Sequence, residues 1–217
     1  MIRIFKHPVV PQSLVGQVSW NGNDVNSQLM SDQHCKCYLC ERRLVTDFQV
    51  EHLKCRKNHS YLAYVWDNLF WSCDYCNKKK SDSFDNILNP TENDIENLIY
   101  QKFDFPKSFA EFRYEGPYSD KGETTIQLLS KIFNGSHRMR TIREQQIYDY
   151  AKSRITSFQE MVLSWMKNNS EAERSAIIEE LDINSEFLGF KYWIIRSNSK
   201  LLYEFGNYIV WNKKQSK

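Results

Sequence analysis

No stretch of the 217-residue sequence approaches the ~20 apolar residues that a membrane-spanning helix needs. Residues 1–11 lack the apolar core of a secretory signal peptide, and neither internal repeats nor low-complexity tracts occur. The six cysteines are not arranged like the disulfide framework of a small secreted protein. We therefore predict a cytoplasmic protein in a reducing compartment, without membrane association.

The chain also has little net charge, +2, but its charges are unevenly distributed. Basic residues predominate in 36–80, 131–154 and 191–217, whereas 82–104 contains six acidic residues and one lysine. Such segregation predicts a phosphate-facing surface and a separate acidic surface for a protein partner. Solvated helix faces produce the same pattern, so the acidic segment is compatible with either interpretation. The length suits one elaborated domain or two small ones.

Four of the cysteines form two Cys-x-x-Cys pairs, Cys37/Cys40 and Cys73/Cys76. Paired knuckles in a short chain predict one structural zinc ion, bound tetrahedrally by four thiolates. Two unrelated pairs of buried thiols are the alternative, but the polar, turn-like residues inside each pair are not typical of a core. Cys35 and Cys55 are predicted to be free thiols.

Residues 48–53 alternate apolar and polar side chains, which predicts a strand with Val50 and His52 on one face and Glu51 on the other. Residues 69–80 begin apolar, pass through the second cysteine pair and end in lysines, which predicts a strand leading into a short helix near Cys73. Two strands and a helix around one ion form a ββα-metal unit. Because so small a unit buries little apolar surface, zinc is expected to hold it together.

The order and spacing of these residues resemble the HNH endonuclease motif. A carboxylate–histidine pair, a central Asn and a final His or Asn define that motif, and the corresponding residues here are Glu51, His52, Asn68 and Asn77. The segment Cys73-x-x-Cys76-Asn77-x-x-Lys80 is similar to the zinc-containing branch. Within that branch the chain resembles the HNH subunit of Septu-type anti-phage defence systems (PtuB-like), which also accompanies some retrons. The residues that carry this likeness are Val50-Glu51-His52, Trp66-Asp67-Asn68-Leu69-Phe70 and Asn86-Ile87-Leu88-Asn89-Pro90. It is sharp over 35–90 and faint elsewhere.

This resemblance implies metal-dependent hydrolysis of phosphodiester bonds. His52, with an ordinary pKa of about 6.5, is the expected general base, and Glu51 with Asn77 is expected to hold Mg²⁺ or Mn²⁺. Asn68 is expected to orient the loop after His52 through backbone hydrogen bonds. The chain departs from the commoner motif because Glu51 replaces Asp and Asn77 replaces His. Phosphate contacts are expected from Lys54, Arg56, Lys57, Lys78, Lys79 and Lys80. Taken singly, a Glu–His pair on a surface strand or a run of solvated lysines would not indicate catalysis.

We expect an α+β fold in which a zinc-stapled ββα core is joined to a largely helical carboxy-terminal half. The predicted segments are an extended and helical amino-terminal segment (1–34), the nuclease core (35–90), an acidic connector with a hairpin (91–122) and a helical partner-docking region (123–217). The hairpin is expected over 99–105 and 109–114, and the clearest linker over 116–122.

Helical periodicity predicts a long helix whose apolar face runs from Ile142 to Trp165. A capping box at Ser170 predicts a second helix, and Asn184 or Ser185 is expected to cap a third. Residues 201–211 alternate in a manner typical of a closing strand.

These features predict a metal-dependent HNH endonuclease that acts as the effector of an anti-phage complex. The resemblance implies an ABC/SMC-like ATPase partner (PtuA-like) and, where a retron is present, its reverse transcriptase and msDNA. The acidic segment 82–104 and the aromatics Tyr148, Tyr150 and Trp193 are candidate contacts, although Trp193 also suits a helical core. Two alternatives stay open: a zinc-knuckle module that grips nucleic acid without cutting it, and a scaffold with a vestigial HNH unit.

Overall fold

Helices and two small sheets alternate along the chain in a computed structural model that describes residues 1–43, 46–92, 94–137 and 139–209. The helices are α1 (Gln12–Val15), α2 (Asn23–Asp32), α3 (Asp74–Lys80), α4 (Ile95–Leu98), α5 (Asp120–Asn134), α6 (Ile142–Asn168), α7 (Glu171–Glu180), α8 (Leu188–Arg196) and α9 (Ser199–Phe205). The strands are β1 (Phe48–His52), β2 (Leu69–Cys73), β3 (Ile99–Asp104) and β4 (Phe109–Tyr114), and short 3₁₀ turns cover Ser60–Leu62, Trp66–Asn68 and Gly206–Tyr208. The predicted α+β class is confirmed.

β1 and β2 pair antiparallel and lead directly into α3, as the alternation and the second cysteine pair predicted. Val50 lies opposite Trp71, and the Phe48 and Trp71 rings stack at 4.0 Å. All five residues of β2 are buried. Cys73 ends the strand and caps the helix, because its Sγ accepts a hydrogen bond from the Cys76 amide at 3.3 Å. One cysteine therefore fixes both the end of β2 and the start of α3.

The predicted hairpin is also confirmed, as β3 and β4. It packs against α5 and α8 with Ile99, Phe103 and Ala110 turned inward. Asn134 at the end of α5 ties the helix to the sheet by exchanging two hydrogen bonds of 2.8 Å with the Ala110 backbone. The predicted linker is shorter than expected, since α5 already begins at Asp120.

The long predicted helix is α6, and most of its predicted face is buried. Ala151, Ile155, Phe158, Val162 and Trp165 lie in the interior, but the first residue of that face, Ile142, is 82% exposed. A capping box starts α6, formed between Thr141 and Glu144. α7 follows the predicted cap at Ser170.

Two predictions near the carboxy terminus are wrong. The third helix of the series begins after Phe187, which adopts a left-handed φ of 55°, rather than after Asn184 or Ser185. Residues 199–205 form α9 instead of a strand, because the Asn198 side chain accepts hydrogen bonds from the Lys200 and Leu201 amides and caps a helix. Residues 210–211 of the predicted strand lie outside the described residues.

Among the described residues, two apolar clusters hold the fold together, and α6 contributes to both. The first surrounds β1, β2, α3 and the β3–β4 hairpin, and it includes Ala151 and Ile155. The second lies among α6, α7, α8 and α9 and includes Phe158, Val162 and Trp165. The part of the chain described here contains no helix long and apolar enough to cross a membrane.

Candidate metal and catalytic site

The four predicted cysteines converge. Their sulfur atoms lie within 4.8 Å of one another, and every one of the four side chains is buried. Cys37 begins a tight turn in which the Glu41 amide bonds its carbonyl at 2.9 Å, and the Tyr38 amide bonds the Trp71 carbonyl of β2 at 3.0 Å. These bonds hold the first pair against the second. Cys35 and Cys55 are free thiols outside the cluster, as predicted.

The thiols of the cluster differ in how easily they ionise: hydrogen bonds to the other thiols raise the pKa of Cys40 well above the ordinary value, and burial does the same for Cys76. Burial opposes ionisation of Cys37, but hydrogen bonds from the other three thiols lower its pKa well below the ordinary value. Burial opposes the charge of the half-buried Arg42, but its electrostatic interaction with Cys40 and Cys73 raises its pKa. Zinc–sulfur bonds of about 2.3 Å would place tetrahedral sulfurs about 3.8 Å apart. The four thiols are therefore close enough to bind one metal ion such as zinc.

His52 ends β1 with its ring fixed in one orientation. Its Nε2 lies 3.0 Å from the Ala63 carbonyl oxygen, which can only accept, so Nε2 carries the proton and Nδ1 keeps a free electron pair. The Trp20 ring meets the imidazole edge-on at 5.1 Å, and Arg56 covers Trp20 at 4.4 Å. Burial lowers the pKa of His52 to about 4, so the imidazole is neutral at physiological pH.

Glu51 faces α3 and forms an ion pair with Lys80. The Lys80 ammonium donates to Glu51 Oε1 at 2.8 Å and to the His52 carbonyl at 2.9 Å. Burial raises the pKa of Glu51, and the positive charge of Lys80 opposes that rise. Lys80 is 0% exposed, so the prediction that it contacts phosphate is wrong. It instead joins the helix to the end of β1.

Asn77 lies one helical turn before Lys80 on the same side of α3. Its amide nitrogen donates to the side-chain oxygen of Gln49, and the Gln49 amide donates to Asp74 at 3.2 Å. Gln49 and Glu51 are two residues apart in β1 and therefore lie on the same face of the strand. The structure thus places Glu51 and Asn77 at one β1–α3 interface, whereas the ring of His52 belongs to the opposite face of the strand.

Asn68 makes the expected hydrogen bonds to backbone. Its side-chain oxygen accepts from the Lys54 amide at 2.8 Å, and its nitrogen donates to the carbonyls of Lys54 and Leu62 at 3.1 and 3.2 Å. One buried amide therefore holds both the segment that follows His52 and the segment that supplies the Ala63 carbonyl.

The remaining predicted phosphate contacts differ in availability. Lys54 donates to the Asp85 carbonyl at 2.5 Å, and Lys79 forms an ion pair with the buried Glu144. Arg56, Lys57 and Lys78 are exposed. Lys57 and Lys78 form ion pairs with Asp82 and Asp74 at 2.7 and 2.9 Å. Exposed pairs of this kind are weak, so these side chains can exchange partners.

Several predicted partner contacts are used within the fold. Tyr148 is 1% exposed, which rules it out as a surface contact. Trp193 is half-buried and donates to the Ile99 carbonyl at 2.7 Å. This agrees with the alternative in which Trp193 packs within the fold. Tyr150 is exposed, although its hydroxyl donates to Glu186 at 2.7 Å. In the acidic segment, Asp85 accepts from the Cys55 amide at 2.5 Å.

Sequence inspection missed Trp20, Gln49 and the Ala63 carbonyl as neighbours of the site. Gln49 was identifiable, because it shares strand periodicity with Glu51. Trp20 was not, since it lies 32 positions before His52 and no spacing rule links them. Searches against protein-family models and against curated proteins found no match.

Proposed function

We propose that this protein is a metal-dependent nuclease of the HNH type. The observation that carries the proposal is His52, whose ring is oriented by the Ala63 carbonyl and whose Nδ1 is left as a base. Glu51, the next residue of β1, and Asn77 meet at the strand–helix interface on the other face of that strand. A strand, a second strand and a helix in this order support the likeness to a ββα-metal unit.

In the proposed reaction, His52 accepts a proton from the attacking water through Nδ1. Its low pKa keeps the base in the neutral form that can accept a proton, at the cost of a weaker base. Asn68 maintains the ring geometry through its three backbone bonds. A bound divalent cation would stabilise charge on the phosphate and the leaving oxygen.

Glu51 and Asn77 fit such a cation only with help from solvent and substrate. Together they offer one carboxylate and one amide oxygen, and Mg²⁺ commonly uses one or two protein ligands with several waters and phosphate oxygens. Lys80 already neutralises part of the Glu51 charge. Cation binding is therefore expected to be weak until a phosphate arrives.

The cysteine cluster is proposed to hold zinc in a structural role. Four thiolates complete a tetrahedron and leave no position for water. A metal there would join β2, α3 and the Cys37–Cys40 turn, and α3 carries Asn77 of the candidate site.

A second candidate function is nucleic-acid binding without cleavage. The pairing of Glu51 with Lys80 favours it, because the proposed carboxylate ligand already has a cationic protein partner. Substitution of His52 distinguishes the two functions, because cleavage requires this residue and binding does not.

The proposed biological setting is an anti-phage complex with an ABC/SMC-like ATPase, and with a retron reverse transcriptase and msDNA where a retron is present. The likeness of residues 35–90 to Septu-type HNH subunits is the support for this setting. Co-purification with the product of an adjacent ATPase gene tests it, and a chain that stays monomeric and unaffected by that product would contradict it.

The activity test uses the chain with that partner, DNA and RNA substrates, and Mg²⁺ or Mn²⁺. We expect His52→Ala to lower the cleavage rate by about 10² to 10⁴, as is usual for loss of a positioned general base. His59→Ala is the matched control, because His59 lies outside the site with its Nε2 2.8 Å from an Asp85 carboxylate oxygen. Cleavage by His52→Ala at the parental rate would falsify the catalytic assignment.

A further inference from the structure

A basic cavity of about 400 Å³ lies between α3, α5 and the start of α6. α3 contributes Tyr75, Lys78 and Lys79 to its lining, α5 contributes Lys131, and the start of α6 contributes Arg143. The buried Tyr75 ring forms its base and donates from its hydroxyl to the Ile132 carbonyl at 2.7 Å. Three separate helices thus build the cavity above a buried tyrosine ring.

Its positive charge exceeds what its own carboxylates neutralise. Glu144 accepts from Lys79 and from the Thr141 amide, so this lysine and this carboxylate cancel. Lys78 and Arg143 share one carboxylate, Asp74, at 2.9 and 3.0 Å. Arg143 also lies 3.9 Å from Asp47, across a neighbouring depression.

Lys131 is the least committed cation of the cavity. Its ammonium lies 4.9 Å from the centre of the Phe84 ring, and within the described ranges no ion pair is recorded for it. Lys78, Lys131 and Arg143 together oppose the single carboxylate of Asp74 and the distant one of Asp47. An anionic ligand with several oxygens would replace these weak surface pairs.

The cavity continues into a second depression at the loop before α6. This depression, of about 490 Å³, adjoins the cavity through the shared residues Ser136 and His137 and adds Lys107 and Arg140. Arg140 is already anchored to the Ser108 carbonyl at 2.8 Å. A basic path therefore runs from α3 across the loop between α5 and α6, which suits a chain of phosphates better than one small anion.

We propose that this path, the α3–α5–α6 cleft, binds the phosphate backbone of a nucleic-acid strand next to the candidate catalytic site. The inference rests on the proposed function in one respect: Asn77, a proposed cation ligand, directly precedes Lys78 of the cleft. A strand positioned at Asn77 extends along the exposed side of α3 to Lys131 and Arg143.

The test measures binding apart from cleavage. Labelled single-stranded DNA, double-stranded DNA and RNA are titrated without divalent cations into protein carrying His52→Ala, and anisotropy is followed over a range of salt concentrations. Lys131→Ala with Arg143→Ala is expected to weaken binding at least about tenfold, since each loss removes a charged hydrogen bond. The slope of log K against log salt should fall by about two.

Matched controls lie on the same helices. Lys121→Ala at the start of α5 and Lys167→Ala at the end of α6 remove the same charge from exposed positions outside the cleft. The control pair should bind within about twofold of the parent with an unchanged salt slope, because only direct phosphate contacts release counterions. Circular dichroism and melting confirm that both pairs are folded.

The outcomes separate this proposal from the nuclease proposal. Equal binding by the cleft pair and the control pair overturns the cleft, even where the parent protein cleaves. Cleft-dependent binding without any cleavage supports the cleft and contradicts the nuclease. Cleft-dependent binding of inorganic phosphate or ATP, with oligonucleotide binding unaffected, would overturn the assignment to a nucleic-acid backbone.

Discussion

The region around β1, β2 and α3 carries two groups of residues that differ in where they find their partners. The four cysteines form the cysteine side, and the polar residues on both faces of β1 and on α3 form the polar side. On the cysteine side, four buried sulfurs lie mainly against one another, with Ser72 at 3.8 Å from Cys37 as a further polar neighbour. On the polar side, Glu51, His52 and Asn77 each have a different partner: Lys80, the Ala63 carbonyl and Gln49. Only the cysteine side gains most of its interactions from an added metal.

The cysteine side is therefore expected to determine stability, and the polar side the proposed chemistry. Without a metal, the four thiols would be buried close together, and ionisation of one would disfavour ionisation of the others. We therefore expect folding of the unit to depend on the ion. The polar side holds its geometry through protein contacts, so its residues can be changed singly without removing the scaffold.

The largest expected effect is loss of the fold around β2 and α3 in Cys73→Ser. Serine is a favoured helix cap, so this substitution keeps the cap of α3 and removes only the sulfur ligand. We expect metal analysis to find one zinc per parent chain and much less in the variant, together with loss of cooperative melting.

Cys55→Ser is the control for this experiment, since Cys55 is a half-buried free thiol outside the cluster. It should retain both zinc and the parental melting curve. A Cys73→Ser protein with full zinc content and parental stability would remove the distinction between the two sides.

Local patterns predicted most of the fold, and packing decided the rest. β1, α3 and the hairpin follow from two-residue periodicity and the cysteine spacing. The strand prediction for 201–211 failed because Leu201, Phe205 and Ile209 recur every four residues and are buried, whereas Tyr203, which strand alternation would turn inward, is 89% exposed. The Asn198 cap could have revealed this helix.

The candidate site was predictable in part for the same reason. The clustering of the four cysteines follows from their spacing, and Glu51, His52, Asn68 and Asn77 are predicted as site residues from their order. The three lysines after Asn77 looked equivalent, yet only Lys80 turns toward β1, because helix geometry places it on the side of Asn77. Contacts from distant segments, such as Trp20 and Arg143, have no local sequence pattern.

An intermediate effect is expected from Lys80→Met, which tests whether the polar side is satisfied by protein alone. The change leaves the buried Glu51 carboxylate without its cation, and the free energy of unfolding should fall by about 3 to 5 kcal/mol. Denaturation by urea measures the loss. The double variant Lys80→Met with Glu51→Leu should recover much of it, because no unpaired charge remains.

Lys78→Met is the matched control on the same helix. Lys78 is 70% exposed at its side chain, and its pair with Asp74 is an exposed i,i+4 contact, so stability should change by less than about 1 kcal/mol. Equal losses in Lys78→Met and Lys80→Met would show that the pair of Glu51 with Lys80 contributes no more than a surface contact.

The smallest expected effect is the pH dependence that His52 gives to stability. Its pKa is about 4 in the folded protein against 6.5 ordinarily, because burial disfavours the charged ring. The unfolded chain therefore binds a proton first as the pH falls below 6.5, and folding loses free energy until the pH reaches the folded pKa. Between pH 7 and pH 5 this loss amounts to about 2 kcal/mol.

Metal release from the cysteines also weakens the fold in acid, but it acts equally on a His52→Gln variant. The difference in the free energy of unfolding between parent and His52→Gln, measured at each pH, isolates the histidine, and it should shift against the parent by that amount on acidification. A difference that stays constant from pH 7 to pH 5 would mean that His52 titrates alike in the folded and unfolded chains, and the buried, neutral base on the polar side would have to be abandoned.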